Sequence, residues 1–302
     1  MWRLLFFLLL AQDQPAFHSD VALVHVDAEV RQHRQTVAGL GKESFRVTDN
    51  GKTQTILYLG RQEEPLDVVL LFDVSAETRP AIQRVTEATH TALGDLRQGD
   101  RIAVMASGRT PEHCEAHLIA DFTGDFDSAE RSIGRQAAEP DPLCRSCEIL
   151  TGIDGAAQQF LRQPNGNRRR AIIVITDDQG AGTAPGLVRN TVRDLWKADA
   201  VVLGVLVHSG NWVVSIGPPH RGARYAADKT GGDTLHTGDA VEGLRETIQR
   251  LRLRYSLYYA LPRSTPGEER KIRVQLSSDA VKRYPGATVR ARTGYVAPGA
   301  DR

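Results

Sequence analysis

The stretch from Val68 to Pro80, VVLLFDVSAETRP, decides the fold of this chain. A run of apolar residues ends at Asp73 and is followed by Ser75 and Glu77, before Pro80 marks the start of a helix. A short, continuous Val/Leu run between turn signals is typical of a buried strand. Polar side chains directly after such a strand lie where open α/β sheets bind their ligands. We therefore predict a ligand site at the carboxyl end of this strand.

Strands and helices alternate from Leu66 onward. After the first strand, apolar residues at helical spacing predict helices at 80–97, 128–139, 152–162, 186–198 and 239–252, and a short one before Thr230-Gly231-Gly232. Between them, strand patterns occupy 101–107, 117–123, the run ending at Asp177 and Asp178, and 200–208. This alternation predicts an α/β fold, a Rossmann-like and mainly parallel sheet with helices on both faces.

Both ends of the chain have a β pattern instead. Residues 21–30 alternate strictly, with Val24, Val26, Ala28 and Val30 on one face, and Asp49-Asn50-Gly51-Lys52 predicts a two-residue hairpin. Alternation returns after Leu253. Because each segment is too small to bury a core alone, we expect them to pair. The predicted organisation is an N-terminal β segment (17–62), the α/β domain (63–252) and a C-terminal β segment (253–297), with the α/β domain inserted into a small antiparallel β domain formed by both termini.

The first residues, MWRLLFFLLLAQDQPAF, have the layout of a secretory signal peptide. Arg3 precedes an apolar run from Leu4 to Leu10, which is too short to span a bilayer. We assign residues 1–16 to a signal peptide and leader and expect an extracytoplasmic protein, in the periplasm, at the cell surface or secreted. No later segment reaches transmembrane length, so no membrane span is expected after cleavage.

Charge and cysteine content narrow the function classes. The formal net charge is +1, and Arg168-Arg169-Arg170 is interpreted as the solvated start of a strand, so no nucleic-acid partner is expected. Cys114, Cys144 and Cys147 fit one disulfide and a spare thiol, with the pairing open. The alternatives are a zinc site that adds His113 or His117, or a redox pair.

Two strand ends carry candidate metal ligands. Asp73, Ser75 and Glu77 follow one strand, and Thr176, Asp177 and Asp178 end another. Parallel strands would bring these groups to one edge of the sheet. Carboxylate and hydroxyl oxygens suit a hard divalent cation such as Mg²⁺.

At this point the sequence resembles the von Willebrand factor type A (VWFA) family. A strand ending in Asp-x-Ser-x-Ser, a later loop Thr and a strand ending in Thr-Asp form its metal-ion-dependent adhesion site. Stretches in the order found in bacterial VWFA-related domain proteins are DVALVHVDAEV, VAGLGKESFRVTDNGKTQTI, LRQGDRIAVM, RRRAIIVITDD, DKTGGDTLH, LRLRYSLYYALP and VRARTGYV. The resemblance implies an exported or cell-surface binding protein, without known catalytic activity, that docks a protein or surface ligand.

The resemblance also assigns site residues. Asp73 and Ser75 match the first two ligand positions, Asp177 the final aspartate and Thr151 the loop threonine. Glu77 stands where the family has its second serine, which implies a degenerate site. Two readings of Glu77 stay open. It either adds negative charge beside a bound cation, which weakens the pull on a partner carboxylate, or points to solvent from the first turn of a helix.

Two other functions compete with the binding module. The first is a haloacid dehalogenase-like phosphohydrolase with Asp73 as nucleophile, although Ser75 stands where that scheme needs a second aspartate. The second is a metal-free structural or assembly role for a fold whose site has decayed.

Overall fold

The computed structural model describes residues 22–33, 35–60, 64–74, 83–86, 91, 93–109, 114–138, 148–164, 168–178, 185–207 and 222–299. The predicted leader, Ser75, Glu77, Cys144 and Cys147 lie outside these residues.

Fifteen strands are present in the described part of the chain. In chain order they are β1 (Leu23–Gln32), β2 (Gln35–Thr36), β3 (Phe45–Asp49), β4 (Lys52–Gln54), β5 (Ile56–Gly60), β6 (Leu66–Asp73), β7 (Arg101–Arg109), β8 (Cys114–Thr123), β9 (Arg169–Thr176), β10 (Ala200–Val207), β11 (Thr234–Thr237), β12 (Tyr255–Ala260), β13 (Glu269–Leu276), β14 (Thr288–Ala291) and β15 (Gly294–Val296). The helices with defined bounds are α1 (Phe126–Ala138), α2 (Ile149–Leu161), α3 (Pro185–Ala198), α4 (Ala223–Thr230), α5 (Ala240–Arg252) and α6 (Ser278–Arg283). Of the predicted helix at 80–97, residues 83–86, 91 and 93 are helical.

Six strands form the central sheet, in the order β11-β10-β9-β6-β7-β8. The first five are parallel, and β8 runs antiparallel to β7 at one edge. Strands β6, β9 and β10 are buried along their whole length, as expected for a sheet covered on both faces.

Helices cover both faces of this sheet. On one face, α1 and α5 contribute to a core that includes Val68, Leu70 and Phe72 of β6. On the other, α2, α3 and α4 contribute to a core that includes Val69 and Leu71. The predicted α/β class is confirmed. None of the helices in the described residues is long and apolar enough to cross a membrane.

The two ends of the chain meet in antiparallel sheets. One has the order β14-β1-β12-β5 with β2 paired to β1, and the other the order β15-β13-β3-β4. β1, from the amino-terminal end, pairs with β12, which follows the last helix of the α/β region. A separate core lies between these sheets and contains Val26, Leu257 and Tyr259, all fully buried. The insertion predicted as part of the fold class is therefore observed, while the residue limits of the domains stay a prediction.

The predicted hairpin at Asp49-Asn50-Gly51-Lys52 is confirmed. Asn50 and Gly51 have φ values of 45° and 78°, as a type I′ turn requires. Asp49 is fully buried and accepts hydrogen bonds of 2.8 Å from the hydroxyls of Tyr259 and Tyr295. Asp49 at the end of β3 is thus hydrogen-bonded to both β12 and β15.

Three local predictions were incomplete or wrong. Helix α2 begins at Ile149, three residues earlier than the sequence pattern indicated. β11 and α6 were not predicted. β11 has only four residues, and its pattern is too short to distinguish from a loop.

The interpretation of Arg168-Arg169-Arg170 as a solvated strand start was wrong. Arg169 and Arg170 are 2% and 5% exposed. Arg169 donates to Asp27 at 2.9 Å, and Arg170 donates to the carbonyls of Ala198 and Gln163 while its guanidinium lies 5.3 Å from the ring centre of Phe160. The side chains of Arg169 and Arg170 are thus used inside the fold.

These contacts belong to a larger cluster of ion pairs at the amino-terminal edge of the central sheet. We call it the amino-edge cluster, and its members are Asp27, Glu29, Arg31, Arg169, Asp199, Asp233, Arg250, Arg254, Arg290 and Arg292. Asp27 and Glu29 lie on the opposite face of β1 from Val26 and Ala28, and they are only 9% and 1% exposed. The ion pairs of this cluster join the second face of β1 to the ends of helices and the starts of strands in the α/β region.

Candidate functional site

Three polar side chains stand side by side at the carboxyl ends of β7, β6 and β9. Ser107 of β7 is in register with Asp73 of β6, and Thr176 ends β9 on the other side of Asp73. Side chains alternate between the faces of a strand, so Asp73 continues the face of Val69 and Leu71, which is covered by α2. The same alternation places Ser107 and Thr176 on that face. This is the Ser107–Asp73–Thr176 row.

Thr176 holds Asp73 in place. Its hydroxyl donates to Asp73 Oδ2 at 2.5 Å and accepts a hydrogen bond from the backbone N–H of Asp178 at 2.9 Å. Thr176 is fully buried and Asp73 is 5% exposed. The hydroxyl therefore orients the Asp73 carboxylate and shapes the turn after β9.

Ser107 contributes an oxygen that the fold itself does not use. It is 1% exposed, and its Oγ has no hydrogen-bond partner within the described structure. A buried hydroxyl without a partner is unfavourable unless a ligand or water supplies one. Helix α2 passes directly above, because a Cβ on Gly152 would lie 2.6 Å from Ser107 Oγ. Only glycine allows the amino-terminal turn of α2 to come so close to the row.

Thr151 lies in the first turn of α2, and not in a loop as the resemblance implied. Its backbone N–H donates to the carbonyl of Glu148 at 3.0 Å, and its side chain is partly buried. It directly precedes Gly152, so the structure places it at the same edge of the sheet as Asp73. The residue is near the site, but on a helix.

The two aspartates after β9 have different environments. Asp177 is partly buried and directly follows Thr176 at the rim. Asp178 has a φ of 55° and caps α4, because its Oδ1 accepts the backbone N–H of Ala223 at 2.8 Å. Gly222 is required there, since a Cβ would lie 2.1 Å from Asp178 Oδ1. Asp178 is therefore a structural residue, and Asp177 stays the candidate ligand.

Glu148 is a further acidic group at the start of α2 that the sequence did not indicate. Burial raises its pKa to about 7, and its Oε1 has no hydrogen-bond partner among the described residues. A carboxylate at this position is normally favoured by the helix dipole. Burial acts in the opposite direction, because it disfavours the charged form.

The donors that the structure brings to this edge are all oxygens. Asp73, Asp177 and the hydroxyl of Ser107 fit a hard cation such as Mg²⁺, which prefers carboxylate, hydroxyl and water oxygens. The described residues contain no group of three or more His, Cys, Asp and Glu side chains arranged to hold a metal. Ser75 and Glu77, two of the predicted ligands, lie outside the described residues, as do Cys144 and Cys147 of the zinc alternative.

One site residue could have been found from the sequence. In RIAVMAS, Ala103, Met105 and Ser107 share one face of the strand, and a polar residue ending that face repeats the pattern of Asp73 in β6. No pattern would have found Glu148, because its burial depends on tertiary packing.

The Ser107–Asp73–Thr176 row lies within a segment of the chain that matches a known protein family. Residues 68–180 match the model of the von Willebrand factor type A domain. Residues 68–180 therefore contain a type A domain. No curated protein matches the sequence.

Several solved structures are similar to this chain. A von Willebrand factor type A protein from Catenulispora acidiphila is 14% identical, with 93% of this chain and 75% of that chain covered and a TM-score of 0.50. An aerotolerance-related membrane protein from Bacteroides fragilis is 15% identical, with coverage of 62% and 98% and a TM-score of 0.44. Proximal thread matrix protein 1 from the mussel byssus, with a zinc-occupied MIDAS motif, is 14% identical, with coverage of 64% and 48% and a TM-score of 0.43. The likeness to the Catenulispora acidiphila protein shows the fold alone.

Proposed function

We propose that this protein is an exported, non-catalytic binding module. Its ligand, a protein or a cell-surface molecule, docks at the edge of the sheet formed by the carboxyl ends of β6, β7 and β9. A divalent cation held by Asp73, Ser75 and Asp177, with hydroxyls of Ser107 or Thr151, completes the docking surface. Glu77 makes this site a variant of the family's metal-ion-dependent adhesion site.

The observation that carries this proposal is the Ser107–Asp73–Thr176 row. It contains a buried carboxylate fixed by a short hydrogen bond from Thr176, next to the unpartnered Oγ of Ser107. A cation bound at this edge would pair with the Asp73 carboxylate and use the Ser107 hydroxyl, which has no hydrogen-bond partner in the described chain.

The position of the flanking sheets supports the same surface. They contact the α/β region at its amino-terminal edge, through pairs such as Arg169 with Asp27 and Arg250 with Glu29. The site row is at the opposite ends of the same strands. A partner that docks at the row would therefore approach the side of the domain away from these contacts.

Export rests on the sequence of the first residues. The layout of MWRLLFFLLLAQ supports a signal peptide, and we expect the mature chain in the periplasm, at the cell surface or secreted. No observation favours the phosphohydrolase alternative, and Thr176 uses one oxygen of the nucleophile that this alternative requires.

The proposal is tested by cation-dependent thermal stability of the mature chain. A cation that binds only the folded state stabilises it, so Mg²⁺ or Mn²⁺ should raise the melting temperature by several degrees at saturation. Asp73→Asn should abolish the increase. Asp279→Asn, whose side chain is 95% exposed on α6, is the matched control and should respond as the natural chain does.

Two more variants make the result specific. Glu77→Ser restores the family's third ligand and should preserve the cation response, while Ser107→Ala should reduce it. The metal-free structural role is supported instead if neither cation changes the melting temperature of the natural chain or of Glu77→Ser. In that case the proposed cation site is wrong.

A further inference from the structure

A second surface with its own chemistry lies on the flank of the α/β region. It is a cleft of about 330 Å³ between α3, α4 and the start of β13. We call it the α3–α4 cleft, and its lining residues are Pro185, Val188, Arg189, Val192, Arg193, Trp196, Tyr225, Lys229 and Glu269. Its volume is within the range of ligand-binding clefts in proteins.

Helix α3 gives the cleft an apolar floor and a basic rim. Val188, Val192 and Trp196 recur every four residues and form one row, and Val188 and Val192 are buried. Arg189 and Arg193, also four residues apart, form a neighbouring row and are exposed. Like charges at this spacing destabilise an isolated helix, so the arrangement is not explained by the needs of α3 itself.

The positive charge of the cleft is not neutralised by its own residues. Arg189 makes no ion pair with any residue that the structure describes. Arg193 lies 3.8 Å from Glu269, but both side chains are about half exposed, at 45% and 48%, and such a pair contributes little. Lys229 lies with its Nζ 5.2 Å from the ring centre of Tyr225. Three cationic groups against one carboxylate leave a net charge of +2.

The aromatic part of the cleft is held in place. Trp196 Nε1 donates to the carbonyl of Lys229 at 3.1 Å, and the indole packs on Gly294, where a Cβ would lie 2.8 Å from Trp196 Cη2. A fixed indole in the cleft that Tyr225 also lines offers a flat apolar surface at little entropic cost on binding.

We propose that the α3–α4 cleft binds an acidic peptide segment of a partner protein. Carboxylates of the segment pair with Arg189, Arg193 and Lys229, and an apolar side chain between them rests on Trp196 and Tyr225. Arginine pairs with carboxylates through two parallel hydrogen bonds, which favours a carboxylate-rich segment over an uncharged one. The cleft does not include any residue of the candidate cation site, so the two surfaces act independently.

The test uses the fluorescence of Trp196 in the mature chain. The chain has three tryptophans, and Trp2 is in the predicted leader, so Trp212→Phe leaves Trp196 as the reporter. The probe is the peptide acetyl-EELFEE-amide, which has no tryptophan or tyrosine. It should change the Trp196 emission saturably, and added salt should weaken binding, because exposed charges are screened.

Matched variants and peptides separate charge recognition from non-specific adsorption. The double variant Arg189→Glu with Arg193→Glu should bind at least about tenfold more weakly, while Arg131→Glu, an exposed arginine on α1 with 68% side-chain exposure, should bind normally. The amide peptide acetyl-QQLFQQ-amide should also bind at least about tenfold more weakly.

Any one of three results would overturn the proposal. One is equal affinity for the two peptides, and another is the absence of saturable binding by both fluorescence and calorimetry. The third is tighter binding of a single-stranded oligothymidylate, which would assign the basic rim to a nucleic acid. Binding should persist in EDTA and in Asp73→Asn, so failure of the cation site leaves this test intact.

Discussion

The two edges of the central sheet differ in the partners that they provide for buried polar and charged groups. At the amino-terminal edge, each acidic residue of the amino-edge cluster has an arginine partner, as in the pairs of Asp27 with Arg169 and Glu29 with Arg250. At the carboxyl edge, Asp73 is bound by a hydroxyl, and Ser107 Oγ and Glu148 Oε1 have no hydrogen-bond partner in the described chain. The first edge is an interface between the α/β region and the flanking sheets, and its acidic residues are all paired. The second has unused oxygen donors, which is what a ligand site requires.

This difference predicts opposite responses to charge. Removing an acid at the amino edge leaves a buried guanidinium without its partner, which is strongly destabilising. Ionising an unpartnered acid at the carboxyl edge is itself destabilising, because burial disfavours the charged form.

The largest effect is expected for Asp27→Ala. This substitution leaves Arg169 and Arg254, both 2% exposed, without the carboxylate that they share. We expect the free energy of unfolding to fall by about 3–5 kcal/mol, measured by urea denaturation. Asp279→Ala on the exposed face of α6 is the control and should leave stability unchanged. A loss below about 1 kcal/mol would show that the amino-edge interface does not depend on the ion pairs of Asp27.

The next effect is a loss of stability in acid. Burial acts to raise the pKa of Asp27, but the guanidiniums of Arg254 and Arg169 outweigh it and lower the pKa from 3.8 to about 2. The folded-state pKa is below the unfolded one, so this stabilisation is present above pH 4 and is lost as the pH falls from 4 to 2. It amounts to about 2 kcal/mol. Asp199 and Asp233, whose pKa values are also lowered by arginine or histidine neighbours, add to the same trend.

The measurement is the urea midpoint at a series of pH values between 6 and 2. Asp27→Asn should show a shallower loss over that range than the natural chain. Identical slopes for the two proteins would contradict the assignment of this acid sensitivity to Asp27.

A smaller effect is expected at the carboxyl edge for Asp178→Ala. The substitution removes the acceptor for the backbone N–H of Ala223 at the start of α4. Loss of such a cap destabilises a protein by about 1 kcal/mol, measurable as a decrease in melting temperature. Asp178→Asn retains an acceptor oxygen and should recover most of the loss. If Asn and Ala behave alike, the cap does not explain the conformation of Asp178.

The smallest effect, and the one with the opposite sign, is expected for Glu148. Burial raises its folded-state pKa from the usual 4.5 to about 7, so the natural chain loses stability as the pH rises from 4.5 through 7. Glu148 is only partly buried, so solvent screening keeps the cost of ionising it small. Glu148→Gln should therefore be only slightly more stable than the natural chain at pH 8 and equal to it at pH 4, by urea denaturation. A variant that is less stable at pH 8 would show that the ionised carboxylate has a favourable partner.

Much of the α/β fold could be predicted from local patterns. The buried runs of β6 and β9 and the helical spacing of α5 each specify one element, because their apolar faces match the period of that element. The hairpin at Asn50-Gly51 was predictable for a local reason, since few residues accept two successive positive φ values.

The errors arise where a side chain meets a distant part of the chain. Alternation in β1 correctly placed Val24 and Val26 in a core, but it could not show that Asp27 and Glu29 face a second layer rich in arginine. A strand that presents charges to solvent and one that presents them to a complementary surface have the same sequence pattern. The same limitation led to the wrong interpretation of Arg169.

At the candidate site, the sequence indicated candidate residues but not their surroundings. Asp73 and Asp177 were named from the strand ends and the family resemblance and stay candidate ligands, and the structure places both at one edge of the sheet. The helical position of Thr151 and the capping role of Asp178 depend on where α2 and α4 begin, which the sequence pattern defines only to within a few residues.

The pairing of Gly60 with Ser256 has a consequence for how the chain folds. These residues lie at the exit of β5 and near the start of β12, so the whole α/β region forms a closed loop whose ends are neighbouring strand residues. β1 and β5 gain their β12 partner only when that loop has closed. Closure over such a length is entropically unfavourable and slow. During synthesis, β1 and β5 therefore lack their partner until β12, in the last quarter of the chain, has been made. Until then their strand edges are exposed and can pair prematurely with another copy of the chain.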